Sequence, residues 1–152
     1  MKSTLVKLLL IAFLFNTATA DKASDIVSAA RGHVGSSRYS FYSFRWPGYR
    51  ENKCNYFVHD VLKEAGVSPP ERQGRFFTGP ISAASWYSMS SKPGCNYVGT
   101  ASSAQPGDVM ADGSHVGIAV GDSKTVSAAR DSVVENDWGF RRGQSIRAWR
   151  CR

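Results

Sequence analysis

The sequence predicts an α+β fold in which N-terminal helices pack on an antiparallel sheet of about five to six strands. Two segments with the apolar spacing of amphipathic helices lie before residue 66. Short strand-like segments separated by turn residues follow residue 105. Helices followed by a run of neighbouring strands are typical of folds in which the helices cover one face of the sheet.

Residues 1–20 have the features of a secretory signal peptide cleaved after Ala20. Lys2 and Lys7 give a basic start, a short apolar run follows at residues 8–15, and small residues precede the cleavage point. Because a transmembrane helix needs about 20 apolar residues, this run is too short to span a bilayer, and an uncleaved anchor is the alternative. We therefore expect a secreted protein with a single domain, residues 21–152, that does not insert into membranes.

The predicted mature chain is basic. The full sequence has 19 Lys and Arg against 12 Asp and Glu, and without Lys2 and Lys7 the balance is 17 to 12, a net charge of +5. Five arginines crowd near the C-terminus: Arg141, Arg142, Arg147, Arg150 and Arg152. This charge favours an anionic partner, such as a bacterial surface, anionic lipid, glycosaminoglycan or nucleic acid, without choosing among them.

Two helices are predicted in the first half of the domain. The first spans residues 21–35, with Ser24 as its N-cap and Gly35 as its end. The second runs from Cys54 to Ala65, because apolar residues fall on one face there: Phe57, Val58, Val61, Leu62 and Ala65. Gly66 then lies just past the C-terminus, where glycine is common.

The remainder is predicted to be loops followed by a strand meander. Residues 68–105 show little periodicity, apart from a short helical piece around residues 81–89. After the turn at residues 105–108, strands are predicted at residues 109–111, 115–120, 125–129, 133–135 and 145–149. Asp112 and Gly113 form the tight-turn signal of a hairpin between the first two of these strands.

The three cysteines of a secreted chain form one disulfide and leave one thiol over. Cys95 lies in a turn-like stretch and Cys151 lies next to the C-terminus, so a bridge between them would hold a terminus that would otherwise fray. That pairing leaves Cys54 free. The alternative is that Cys54 is bridged and has no chemical role.

A free Cys54 is a candidate nucleophile because it stands at the start of an amphipathic helix. Unpaired backbone N–H groups and the positive end of the helix dipole favour a thiolate there. The nucleophile needs a base, and His115, predicted at the start of a strand after a tight turn, is the best of three histidines. His33 is expected to lie on the surface, and His59 points about 140° away from Cys54 around the same helix.

A third group that orients the base is less sharply indicated. Ser127 is predicted near the position facing His115 on the next strand. The polar alternatives are Asp112, Asp131, Glu135 and Asn136. A Cys54/His115 dyad without such a group remains chemically sufficient.

The order of these motifs resembles the NlpC-type and CHAP-type cell-wall cysteine peptidases of the papain-like superfamily. The stretch from Cys54 to Val58 resembles their nucleophile helix, and residues 105–110 and 113–121 resemble the strand pair that carries the catalytic histidine. The Cys54–Asn55 pair, where NlpC-type enzymes more often have Cys-Ser-Gly, resembles the type VI secretion amidase effectors. With the signal peptide, the chain is most similar to their domesticated arthropod relatives, in particular the second such family of ticks and mites.

This resemblance implies a papain-like NlpC-type fold and an antibacterial hydrolase that needs no cofactor. The implied substrate is bacterial peptidoglycan, cut at the D-alanine to diaminopimelate (or lysine) crosslink. We further expect a monomer that binds no nucleic acid. The family position usually held by a histidine or similar group corresponds to Ser127. No metal-ligand spacing occurs in the sequence.

The loop at residues 36–53, rich in aromatic and basic residues, is a candidate wall of the substrate groove. Tyr42 and Trp46 are expected to pack on the methyl groups of stem peptides, and Arg45 or Arg50 to pair with carboxylates. Asn55, beside the nucleophile, completes the expected substrate-binding set. Two alternatives stay open: cleavage of the D-glutamate to diaminopimelate bond, and a non-catalytic cationic protein that binds bacterial surfaces.

Overall fold

The computed structural model describes residues 22–152, so the predicted signal peptide and Asp21 lie outside the described residues. Three α-helices, a short 3-10 helix and eight strands occur in this part of the chain. Their bounds, in chain order, are α1 22–32, α2 Cys54–Glu64, β1 Glu71–Gln73, β2 Thr78–Pro80, α3 Ala83–Ser88, β3 Cys95–Gly99, the 3-10 helix Ala101–Ser103, β4 Val109–Ala111, β5 Val116–Gly121, β6 Lys124–Ala128, β7 Val133–Asn136 and β8 Arg147–Cys151.

Six strands form one antiparallel sheet in the order β3-β8-β4-β5-β6-β7, and β1 and β2 form a separate two-stranded hairpin. The predicted α+β class is confirmed. The strands β4 to β7 are consecutive neighbours, as expected of a meander, and β8 inserts between β3 and β4. None of the helices within residues 22–152 is long and apolar enough to cross a membrane.

The second helix follows its sequence prediction closely. Helix α2 begins at Cys54, its C-cap is Ala65, and Gly66 has the positive φ of 71° that glycine adopts without strain. For α1, the expectation that Ser24 caps the helix is wrong, because the helix already includes residue 22. The side chain of Lys22 donates a hydrogen bond of 2.9 Å to the Ala65 carbonyl, so the start of α1 is held by the end of α2.

The helices cover one face of the large sheet. Side chains alternate between the two faces of the sheet along β5. Val116 and Ile118 lie on the face beneath α1 and α2, where they form the main core together with the apolar face of α2. The other face carries a smaller cluster of Met110, Ala119 and Ile146. Residues of the β4–β5 turn and the end of β6 therefore meet the first turn of α2 at one end of the sheet.

Cys95 and Cys151 form a disulfide, as expected. They are directly opposite each other in the β3–β8 pair, so the bridge fixes the last strand of the chain to the edge of the sheet. Cys54 is the free cysteine among the described residues. The alternative in which Cys54 is bridged is wrong.

Most of the C-terminal arginines contact groups of their own chain. Arg150 makes two hydrogen bonds to the fully buried carboxylate of Asp108, and Arg152 lies 3.5 Å from the same carboxylate. Arg141 pairs with the exposed Asp137, and Arg147 donates to the Tyr87 carbonyl. Among the described residues, Arg142 alone of the five has no such contact, so the charge crowded in sequence does not form a free basic surface.

The loop at residues 36–53 is fixed to α2 by two buried polar contacts. Lys53, with 2% of its surface exposed, donates to the carbonyl groups of Ser40, Gly48 and Glu51 at 2.7–3.1 Å. Burial lowers its pKa. The Tyr39 hydroxyl donates to Asp60 of α2 at 2.6 Å, and Arg45 binds the same carboxylate.

Asp60 gives this attachment a pH dependence. Burial alone would raise its pKa, but hydrogen bonds from His59, Tyr39 and Arg45 lower it to about 2. A carboxyl whose pKa is depressed on folding stabilises the fold above its unfolded value near 4, and the contribution is lost as the pH falls towards 2.

We therefore predict that Asp60→Asn lowers the free energy of unfolding by about 2 kcal/mol at pH 7. The difference between the variant and the wild type should shrink as the pH falls from about 5 to about 2. Urea unfolding across this pH range measures it. The exposed Asp25→Asn is the control, with an expected change below about 0.5 kcal/mol. A difference that stays constant with pH would contradict the assigned role of the carboxylate.

Candidate active site

Cys54 is the first residue of α2, and 5% of its surface is exposed. The apolar face of α2 packs on β5 and β6, which brings the sulfur beside the backbone of Val116. The backbone N–H groups of Val116, Asn55 and Cys54 itself act on the sulfur to lower the pKa of the thiol. These donors favour negative charge on the sulfur, or on an oxygen that develops next to it.

His115 lies in the turn between β4 and β5, one residue before β5 begins. Asp112 fixes this turn: its Oδ1 accepts hydrogen bonds of 2.8–2.9 Å from the backbone N–H groups of Ser114 and His115 and from the Ser114 hydroxyl. The predicted hairpin signal at residues 112–113 is therefore confirmed, and it sets the position of the candidate base.

One cavity of about 340 Å³ joins the two side chains. It lies at the end of the sheet, between the start of α2, the β4–β5 turn, the end of β6 and the loop at residues 36–53. Its lining residues are Tyr39, Phe41, Asn52, Lys53, Cys54, Ser114, His115, Ala128, Ala129 and Arg130. Within residues 22–152, no hydrogen bond joins the Cys54 sulfur to the His115 imidazole.

Burial disfavours the charged forms of both candidate groups. It raises the pKa of the Cys54 thiol, and the three backbone donors offset this only in part. Burial likewise lowers the pKa of His115, against the smaller opposing effect of the Asp112 carboxylate. Both directions favour an uncharged thiol and an uncharged imidazole. The N–H groups at the helix start lower the pKa of the thiol, as expected, but burial outweighs them.

Trp138 holds the imidazole of His115 from the side. The two rings meet edge to face, with centroids 4.6 Å apart. The Trp138 carbonyl accepts a hydrogen bond of 2.7 Å from Thr125, and its N–H donates to Asn136 at 3.0 Å. Sequence reasoning missed Trp138, because it follows β7 in a turn and no pattern links it to His115.

Ser127 is buried in β6 on the same sheet face as Gly117. Continuing the register of the Ile118–Val126 pair by one residue places Ser127 opposite Gly117, which is two residues beyond His115. A Cβ at Gly117 would lie 2.8 Å from the Ser127 Cβ, so only glycine fits between these strands. Ser127 makes no side-chain hydrogen bond to His115 in the described part of the chain.

The predicted substrate-binding residues of the loop at residues 36–53 do not line the cavity that holds Cys54 and His115. Tyr42 and Trp46 are exposed, by 39% and 66%. Arg50 is also exposed, with its guanidinium 5.4 Å from the centre of the Tyr49 ring. Arg45 pairs with Asp60 and lies over the Tyr39 ring, so it is not available for a substrate carboxylate.

Asn55 turns away from the cavity. Its side-chain amide donates a hydrogen bond of 3.2 Å to the Ile81 carbonyl, at the approach to α3. Neither Asn55 nor any of Tyr42, Arg45, Trp46 and Arg50 is among the residues lining the cavity.

Of the cavity-lining residues, the sequence singled out Cys54 and His115, and among those it did not single out are Lys53, Phe41 and Arg130. Lys53 was missed because nothing in sequence tells a buried lysine from an exposed one. Phe41 lies in the loop at residues 36–53, whose aromatic enrichment was the available signal. Arg130 follows β6, and its backbone carbonyl accepts a hydrogen bond of 2.8 Å from Phe41, which joins the two walls of the cavity.

The other two histidines are engaged elsewhere. His33 contacts the Glu64 carboxylate at 2.9 Å, and His59 contacts Glu71 at 2.7 Å. The Asp60 and Glu71 carboxylates raise the pKa of His59. The expectation that neither histidine serves Cys54 agrees with these contacts. Among residues 22–152, no three His, Cys, Asp or Glu side chains converge as a set that could hold a metal ion.

No protein-family model matches the chain, and no curated protein matches its sequence.

The directions of the two pKa shifts predict how the thiol reacts. We expect the alkylation rate of native Cys54 by iodoacetamide to rise about tenfold per pH unit up to at least about pH 9, because thiolate forms only as the pH approaches its raised pKa. Mass spectrometry of peptides from samples labelled between about pH 4 and about pH 10 measures this. A plateau of fast alkylation below about pH 6 would instead indicate a resting thiolate–imidazolium pair.

Proposed function

We propose that the protein is a secreted cysteine amidase that hydrolyses peptide crosslinks of bacterial peptidoglycan. The observation that carries the proposal is a free, buried cysteine at a helix start that lines one cavity with a histidine, while the other two cysteines form a disulfide. The helix, the six-stranded antiparallel sheet and the order of the motifs support a papain-like NlpC-type identity. The resemblance of these motifs to the amidase effectors supports the choice of substrate.

The chemistry follows from the neutral pair. As the substrate amide enters, His115 accepts the thiol proton of Cys54, and the sulfur attacks the amide carbonyl. The backbone N–H groups of Cys54 and Val116 stabilise the oxyanion. His115 then returns the proton to the leaving amine, which departs as the thioester forms. Water, deprotonated by His115, hydrolyses the thioester and restores the thiol.

The contacts of the C-terminal arginines bear on the rival function, that of a non-catalytic protein that binds bacterial surfaces. A non-catalytic cationic protein that acts by charge would need exposed, unpaired basic side chains. Four of the five C-terminal arginines contact their own chain, and Arg45 pairs with Asp60. These contacts argue against a binding surface built from the C-terminal arginines, but not against one built from Arg50, Arg130 and Arg142, which are exposed and form no ion pair in the described part of the chain.

The mechanism predicts that Cys54→Ala and His115→Gln each reduce turnover of crosslinked muropeptide dimers by at least about 1,000-fold, because each removes half of the reacting pair. His33→Gln is the matched histidine control and should stay within about twofold of wild type. The rate of monomer release, followed by chromatography and mass, measures all three. Normal turnover by Cys54→Ala would rule out the mechanism.

The masses of the products also identify the bond that is cut. Cleavage of the crosslink converts dimers into intact tetrapeptide monomers. Cleavage of the D-glutamate to diaminopimelate bond instead leaves a dipeptide on the sugar, and that product would redirect the proposal to the stem bond.

The imidazole is held by packing, so Trp138 is proposed as a positioning residue and Ser127 as dispensable. We predict that Ser127→Ala changes kcat by less than about threefold, whereas Trp138→Ala lowers it by about 10- to 100-fold. In Trp138→Ala, water reaches the imidazole of His115, and its pKa returns towards about 6.5. The acid limb of the pH profile of kcat/KM should therefore move to higher pH. A larger loss in Ser127→Ala than in Trp138→Ala would restore Ser127 as the third catalytic residue.

A further inference from the structure

Arg130 is the exposed cation of the cavity that holds Cys54 and His115. No Asp or Glu lines this cavity, and its other cation, Lys53, is buried with its ammonium donating to three backbone carbonyl groups. The charge that a ligand meets at the mouth of the cavity is therefore positive. Asp131 follows Arg130 in the chain, but no ion pair joins Arg130 to a carboxylate among the described residues.

The guanidinium of Arg130 is held in a fixed orientation without being neutralised. It lies 5.1 Å from the ring centres of both Phe41 and Tyr42, and its Nε donates a hydrogen bond of 3.0 Å to the Tyr42 hydroxyl. The backbone of Arg130 is fixed by the hydrogen bond from Phe41. The Tyr42 hydroxyl accepts from Nη2 as well as from Nε, whereas Nη1 makes no hydrogen bond to the described part of the chain. The end of the planar guanidinium formed by Nη1 and Nη2 is therefore the one that can donate two hydrogen bonds to a carboxylate.

We infer that Arg130 is a specificity-determining residue that binds a carboxylate of the peptide substrate close to the scissile amide. The inference rests on the proposed function for the identity of the peptide. Tyr42 then acts through Arg130 and not on the substrate methyl groups.

Two carboxylates of peptidoglycan have this chemistry. One is on the diaminopimelate carbon that carries the crosslinking nitrogen, and the other is the α-carboxylate of D-glutamate. Lysine-type crosslinks lack the first and keep the second, unless the D-glutamate is amidated. Peptides in which each carboxylate is amidated separately therefore distinguish the two sources.

The test compares wild type, Arg130→Gln, Arg130→Lys and the exposed control Arg142→Gln on crosslinked peptides with free or amidated carboxylates. We expect Arg130→Gln to raise KM about 10- to 100-fold on the free-carboxylate peptide, with kcat within about twofold, because it removes a charge-assisted double hydrogen bond. Arg130→Lys keeps the positive charge but cannot make the double hydrogen bond, so its KM should lie between those of wild type and Arg130→Gln. The KM of Arg142→Gln should equal that of wild type. Amidation of the recognised carboxylate should raise the wild-type KM similarly and abolish the difference between wild type and Arg130→Gln.

Equal KM values for wild type and Arg130→Gln on the free-carboxylate peptide would overturn the inference. A KM increase that persists unchanged on every amidated peptide would also overturn it, because the loss would not involve a carboxylate. Thermal unfolding of each variant checks that the fold is retained, and Arg130→Lys carries the test if Arg130→Gln fails to fold.

A binding experiment separates this inference from the proposed function. Cys54→Ala protein, with and without Arg130→Gln, is titrated with the same peptides by calorimetry. Tighter binding of the free-carboxylate peptide that disappears with Arg130→Gln supports the inference even if the wild type hydrolyses none of the peptides. If the wild type hydrolyses the peptides but their affinity changes neither with Arg130→Gln nor with amidation, the proposed function is supported and the inference is rejected.

Discussion

The packing of α2 on β5 and β6 is the constraint on which the candidate site depends. The helix begins at Cys54, and its apolar face is buried against strands that begin one residue after His115. A single interface between a helix and a sheet therefore sets the sulfur beside the Val116 N–H and both side chains in one cavity. Lys53 and Asp60, on either side of the first helical turns, fix the loop that closes that cavity.

The same burial explains the electrostatic character of the site. Cys54 and His115 share a partly closed cavity in which an isolated charge is costly, so the thiol pKa rises and the imidazole pKa falls. Both shifts favour a proton on the sulfur and an uncharged imidazole. Arg130 differs from this pair because it is charged and exposed to solvent at the mouth of the cavity, beside the rings of Phe41 and Tyr42. The cavity combines two groups whose charged forms burial disfavours with one exposed cation.

Local sequence patterns predicted the elements whose side chains repeat with a fixed period. Helix α2 and strands β4 to β8 follow from apolar spacing and from turn residues at Gly66 and residues 112–113. Strands β1 to β3 were missed, because β1 and β2 have three residues each and β3 is a half-exposed edge strand. Cys54 and His115 were predictable because a cysteine at a helix start and a histidine after a tight turn can be recognised from their neighbours in the sequence. Trp138 and Arg130 were not, because tertiary contacts alone bring them to the site.

The central claim is that Cys54 forms a covalent bond with the carbonyl carbon of its substrate. We expect a stem-peptide analogue with an ester in place of the scissile amide to acylate Cys54 faster than the thioester hydrolyses, so that acid quenching in the first turnover traps the intermediate. Trypsin cuts after Lys53 and Lys63 and isolates the nucleophile in one short peptide. We predict that this peptide, residues 54–63, gains the mass of the acyl group. Turnover of the analogue with residues 54–63 unmodified, or with the acyl group on another residue, would contradict the account.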